Sequence, residues 1–310
     1  MATVEDRIVD ETLSLAWSLW MEMGVSGTAD RRHSDIAVDP EALVLLTAGV
    51  QDDDPRLRDE ALDWCIRYGQ FISGSRLRNL LAKANEKTRE AFGVFAATVN
   101  ANSGLRWRGA TKPRTFEPTG RSRIDDFSRP SLVTLRLRAL FGVNAKAEVL
   151  RIYVSAPDAE HSASDLAREV GFTKRSVWNA LDALCKGGWL ESLPVRNRIH
   201  YRLQAPSILG KSIGRLPGKY WKWPAIVRVV SDVRAILDRR ASYGEVARDV
   251  EVRKACENLI PDMAVARFGQ PAHKEGEPFL PAFEQWAIEF VTALAGGSYR
   301  YFRHFHPCSA

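Results

Sequence analysis

The chain has 310 residues and 45% hydrophobic side chains, enough for two or three cores of typical domain size, so a short peptide or a disordered tail is excluded. Its formal net charge is +6 but unevenly placed: residues 1–100 hold 11 basic and 17 acidic groups, whereas residues 101–140 hold 9 and 3. Cys65, Cys185, Cys256 and Cys308 have no paired spacing, which argues against a zinc knuckle or disulfide framework and for reduced, cytosolic thiols.

The start, Met1 to Asp6, lacks the basic residues and apolar core of a signal peptide, and no apolar run approaches the ~18 residues of a membrane span. A cytoplasmic setting without membrane contact is expected. Leu13, Leu15, Ala16, Leu19 and Trp20 form an apolar stripe ending at Gly24. Asp39-Pro40 and Asp54-Pro55 each pair a cap with a first helical position, starting helices through Leu43 to Val50 and Leu57 to Ile66. Ser73-Gly74-Ser75 precedes a short helix over Leu77, Leu80 and Leu81, and residues 86–99 continue with Phe92, Phe95 and Val99. These make residues 1–100 an N-terminal helical domain. In the short helix Arg76, Arg78 and Asn79 stand opposite the apolar stripe, so either a solvated basic face or a second DNA-reading surface is open there.

Residues 101–131 read as a basic linker, with Gly, Pro and Ser punctuating Arg106-Trp107-Arg108, Lys112-Pro113-Arg114 and Arg121-Ser122-Arg123. Such an arm suits a phosphate backbone or an acidic neighbour within the chain. An apolar helix follows at 132–141, in place to serve for docking or dimerisation.

Residues 144–203 carry the sharpest pattern. Ser162 to Asp165 supply capping chemistry for a helix whose Leu166 and Val170 share a face, and Gly171 lets the chain reverse. The next helix opens at Thr173-Lys174-Arg175-Ser176 and places Val177, Leu181 and Leu184 on one stripe, with Arg175, Asn179, Asp182 and Lys186 opposite. Gly187-Gly188 ends it. Trp189 to Leu193 and Ile199 to Leu203 then alternate as two strands around a tip containing Arg196, Asn197 and Arg198.

This stretch, about a fifth of the chain, resembles the winged helix-turn-helix domains of bacterial regulators of the MarR and ArsR type, through the run Ser176 to Leu184 followed by Gly188-Trp189-Leu190. The resemblance implies a winged-helix domain over 132–205 with its leading helix, and a helix lying in the major groove of duplex DNA. Thr173, Lys174, Arg175, Ser176 and Asn179 would contact bases or backbone, and Arg196, Asn197, Arg198 and His200 would belong to the wing. The tip departs from family wings in lacking an acidic residue two before the final arginine.

From Ser192 to Ser231 there is no Asp or Glu, while eight Arg or Lys residues fall inside, extending the basic footprint past the hairpin. Residues 206–310 form a C-terminal helical domain. It opens at Lys219-Tyr220-Trp221-Lys222-Trp223-Pro224, aromatics suited either to stacking on the bases of a single strand or to anchoring one domain on another, and continues as a long helix through Ile226 to Leu237 and two more near 245–259 and 282–295.

The catalytic search yields little. Gly210-Lys211-Ser212 lacks the earlier glycine of a phosphate-binding loop, where Ala205 stands, and His273-Lys274-Glu275 lacks the paired cysteines of a zinc deaminase. His304, His306 and Cys308 form the one His and Cys cluster, and neither a metal nor a cofactor is assigned to it. The sequence therefore predicts a mainly α, multidomain helical protein with a central winged helix-turn-helix and small β-hairpin. It is expected to be a non-enzymatic, homodimeric transcriptional regulator with double-stranded DNA as partner. The alternative is a protein-interaction or antitoxin-like module that docks a co-encoded protein on the same unit.

Overall fold

The Asp-Pro steps start helices for the expected reason: Asp39 accepts from the Ala42 N–H and Asp54 from the Arg56 and Leu57 N–H groups, supplying partners that the first turn lacks. The computed structural model describes residues 2–27, 32–274 and 276–298. Helix α1 (Val4–Glu22) is closed at its start by a reciprocal Thr3–Asp6 capping box; α2 (Pro40–Val50), α3 (Pro55–Tyr68), α4 (Gly74–Leu81) and α5 (Glu86–Ala101) follow. The middle of the chain holds α6 (Val133–Phe141), α7 (Ala145–Ser155), β1 (His161–Ser162), α8 (Ala163–Val170), α9 (Lys174–Lys186), β2 (Leu190–Val195) and β3 (Arg198–Leu203). After α10 (Pro206–Ile213) come α11 (Trp223–Arg240), α12 (Glu245–Glu257), α13 (Ile260–Ala266) and α14 (Phe279–Ala295). The protein is mainly helical, with 14 α-helices and one antiparallel three-stranded sheet, ordered β1-β3-β2, among the described residues.

Two apolar cores organise these elements. The larger combines residues of α1 to α5 with Trp221, Trp223 and residues of α11 to α14; the smaller holds α7, α8, α9, the sheet and α10. Packing therefore departs from the division into separate N-terminal (1–100) and C-terminal (206–310) domains. Helix α1 packs along α14 and α2 against α11, because each carries an apolar face too wide for its sequence neighbours to cover. The chain around residue 36 also pairs with the basic-aromatic stretch: Ala37 N–H donates to Lys219 O, Lys219 N–H to Asp35 O, and the Trp223 indole N–H to Ala37 O at 2.7 Å. Helix α6 joins the cores, with Leu135 in the larger and Val133 and Leu137 in the smaller.

Of the stretch 101–131 read from sequence as a linker, residues 103–129 run as an irregular strap held on this helical body. Trp107 is buried and stacks on Phe92, while Asn100 closes both backbone groups of Trp107 at 2.8 and 2.9 Å. Farther on, the buried Asp63 carboxylate accepts from the Gly120 and Ser122 N–H groups at 2.6 and 3.0 Å. Burial raises the Asp63 pKa, but these backbone bonds outweigh it and leave the group below the usual carboxylate range. Gly24, at φ +93, is required where the strap crosses the end of α1, since a Cβ there would lie 2.3 Å from Arg123 O. Of the two readings of the basic arm, the chain adopts the packed one.

Candidate nucleic-acid interface

Local chemistry sets the α8–α9 pair. Ser162 accepts from Asp165 N–H to start α8, Gly171 ends it in the left-handed region at φ +74, and Thr173 accepts from Ser176 N–H to start α9. Val177, Leu181 and Leu184 are buried in the smaller core, each contributing roughly 1.5–3 kcal/mol by removal from water, and they fix which face of α9 points outward. Val195 pairs with Arg198, so β2 and β3 are joined by the two-residue turn Arg196-Asn197. Glu191 and Arg202 brace the hairpin across its strands at 2.6 Å.

A buried ionic seam holds this unit on the helical body. Arg76 of α4 is fully buried and reaches Asp39 at 2.5 Å and Glu41 at 2.6 Å; Arg138 of α6 reaches Glu41 at 2.7 Å and Glu148 of α7 at 2.5 Å. Arg151 closes on Glu148 at 3.0 Å. Burial alone would raise the Glu148 pKa, but the Arg138, Arg76 and Arg151 guanidinium groups hold it well below the usual range. Arg76 Nε also donates to Val170 O and Asn79 Nδ2 to Gly171 O, at 2.9 and 3.0 Å. The end of α8 thus receives donors for carbonyls that its own helix leaves unpaired. Arg76 and Asn79 are engaged in this seam, so α4 does not present them as a second DNA-reading surface.

The outward face of α9 is exposed. Lys174, Arg175 and Asn179 project into solvent, and α9 packs on α7, α8 and β2, leaving this face uncovered by any described residue. Thr173 and Ser176 serve the cap, their hydroxyl oxygens 2.8 Å apart. Lys174 and Arg175 sit in the first turn, where the helix dipole disfavours cations and favours an incoming anion. Arg196, Asn197 and Arg198 are exposed at the hairpin tip, and His200 is half-buried at its base, paired with Leu193 and Ser162 across the sheet. Arg196 has φ +53, an uncommon conformation for a residue with a side chain.

The site residues expected from sequence therefore fall into two exposed groups, one at the start of α9 and one on the hairpin. Between them lies a groove of about 560 Å³ lined by Lys174, Trp178, Arg198 and Ile199. Trp178 is 57% exposed and Ile199 54% exposed. Sequence reading gave Trp178 no role, although a step of about 100° per residue puts it beside Lys174 and Asp182. Asp182 and Lys186 form an i,i+4 pair at 2.9 Å on the same helix.

Other sequence candidates fall elsewhere. Gly210-Lys211-Ser212 lies within α10, and Ser212 donates back to Ile208 O, so this is helix and not a phosphate loop. His304, His306 and Cys308 lie outside the described residues; among the described residues no group of three His, Cys, Asp or Glu is placed to hold a metal ion. No helix there is long and apolar enough to cross a membrane. Comparison of the chain with models of protein families, with curated proteins and with solved structures finds no match in any of the three.

Proposed function

We propose that the protein is a winged helix-turn-helix regulator that binds duplex DNA sequence-selectively and acts without turnover, with α8–α9 as the helix-turn-helix and β2–β3 as the wing. The observation that carries this reading is the pairing of an uncovered, cation-bearing start of α9 with a basic hairpin on the same unit. Arg175 is suited to a bidentate contact with a guanine edge and Asn179 with an adenine edge in the major groove. Arg196 and Arg198 would neutralise phosphates and set register without reading bases. A homodimer belongs to the proposal because paired half-sites lie roughly 34 Å apart. Leu140 on α6 and Ile208 on α10, 58% and 57% exposed, support it as apolar surface beside the unit.

Selection of bound duplexes from a random-sequence pool tests the reading. A recovered consensus that disappears in Arg175→Ala supports it; recovery of no preferred sequence by the parent protein sinks it.

A second reading, docking of a co-encoded protein partner, is favoured by one observation: Trp178, Val195 and Ile199 leave apolar surface exposed on α9 and the hairpin. Salt separates the two, since duplex binding weakens steeply with ionic strength and apolar docking does not.

A further inference from the structure

A cleft of about 420 Å³ lies between the helix–hairpin unit and the C-terminal helices, on a different side of α8 from the groove beside α9. Its wall brings together Arg151 of α7, His161 of β1, Glu169 of α8, Tyr220, Lys222 and Arg267 at the end of α13. Two residues of this wall each carry a buried polar atom without a hydrogen-bond partner, His161 Nε2 and Tyr220 OH. Such atoms are rare in folded proteins, and two on one cleft indicate a partner that arrives from outside. Burial lowers the His161 pKa, leaving a neutral ring whose tautomer can present an N–H.

The charges narrow the chemistry. Lys222 pairs with Glu169 and Arg151 with Glu148, which leaves Arg267 as the cleft's surplus positive charge. Arg151 commits Nε to Glu148 and has further guanidinium N–H groups to offer. Arg267 occupies φ +59, a helix-ending position that favours glycine, so a charged side chain is kept there against backbone preference. Two arginines, a neutral imidazole and a phenol suit a phosphate dianion, while Trp221 and Phe268 add aromatic surface to the same wall.

We propose that this cleft binds a phosphate monoester carried on an aromatic body, about the size of a mononucleotide, and that its occupancy changes DNA binding. The second half rests on the regulator reading above. Its route is short: β1 pairs with β3 of the hairpin, Ser162 caps α8, and Glu169 of α8 is held by Lys222 on the opposite wall.

Calorimetry on the full chain without DNA tests the site, with phenyl phosphate and adenosine 5′-monophosphate as probes and phenol, adenosine and inorganic phosphate as counterparts. At least one ester is expected to bind with single-site stoichiometry, on the order of tenfold tighter than its dephosphorylated form and than phosphate alone. Tyr220→Phe removes a hydroxyl with no internal partner and Arg267→Gly relieves a left-handed residue, so both should melt no lower than the parent. Each should weaken the ester on the order of tenfold. Equal binding of esters and counterparts, or unchanged ester binding in both variants, overturns the site.

A duplex titration with and without the bound ester then reads the coupling, expected at about fivefold or more in either direction. Ester binding with unchanged duplex affinity overturns the regulatory half. A protein that binds ester and no duplex overturns the regulator reading and leaves the cleft standing.

Discussion

Arginines do opposite work in two regions of this molecule. At the seam, Arg76 and Arg138 are buried among Asp39, Glu41 and Glu148; on α9 and the hairpin, Arg175, Arg196 and Arg198 stand in solvent. Each of the helical ones lies opposite an apolar stripe in its own sequence, so local pattern does not separate them. What separates them is distant: α2 and α7 bring carboxylates to α4 and α6, and nothing among the described residues is brought to the face of α9. Burial turns an arginine into a structural fastener, whereas exposure leaves its charge available to a partner.

The largest effect expected from this contrast is on stability. Replacing Arg138 by Met leaves Glu41 and Glu148 buried with one cation fewer and should cost about 3–5 kcal/mol, read by urea unfolding. The corresponding Arg175→Met should stay within about 0.5 kcal/mol of the parent. Similar losses in both variants would erase the distinction between the two regions.

Next in size is a pH effect confined to the helical body. His33 is buried between Ser18 Oγ at 2.7 Å and Leu294 O at 2.9 Å, and burial, opposed only partly by the Leu294 bond, lowers its pKa from 6.5 to about 4. The unfolded chain then binds the proton more readily than the folded one, so stability is full above about pH 6.5 and falls as pH drops toward 4. The loss reaches about 3 kcal/mol at the bottom of that window. A His33→Gln variant should be weaker at neutral pH and should lack this part of the slope; an unchanged slope would place the titrating group elsewhere.

The elements around the interface were legible because their signals are local. Ser162, Gly171 and Thr173 cap and turn within four residues of what they control, and the hairpin announces itself by alternation around a short tip. The role of Arg76 was not legible, since its partners Asp39, Glu41 and Val170 are 37, 35 and 94 positions away. The same limit hid the core shared by α1 and α14 and the anchoring of the strap by Asp63. Trp178 is a different case: helical spacing puts it beside Lys174 and Asp182 on the outward face, and its exposure there follows from that spacing.

On the exposed side, Arg175→Ala should lower preference for a selected duplex by about 1–3 kcal/mol while leaving most non-specific binding in place, as measured by competition with unrelated DNA. Replacing both Arg196 and Arg198 by Ala should weaken all duplexes alike and reduce the slope of log affinity against log salt by roughly two. If the two variants behave identically, α9 and the hairpin do not divide reading from positioning.

The smallest expected effect is the sharpest test of what exposure is for. Arg196 holds φ +53, and a side chain in this region costs about 1–2 kcal/mol relative to glycine, whereas glycine loses about 0.5–1 kcal/mol through greater freedom in the unfolded chain. Arg196→Gly should therefore leave stability unchanged or raise it by up to about 1.5 kcal/mol while removing one cation from the tip. At the seam, losing an arginine and losing stability are the same event; at the tip they should come apart, with duplex affinity falling as the melting temperature holds or climbs. A variant that melts lower and binds duplex as the parent does would mean that this arginine holds the turn and meets no phosphate.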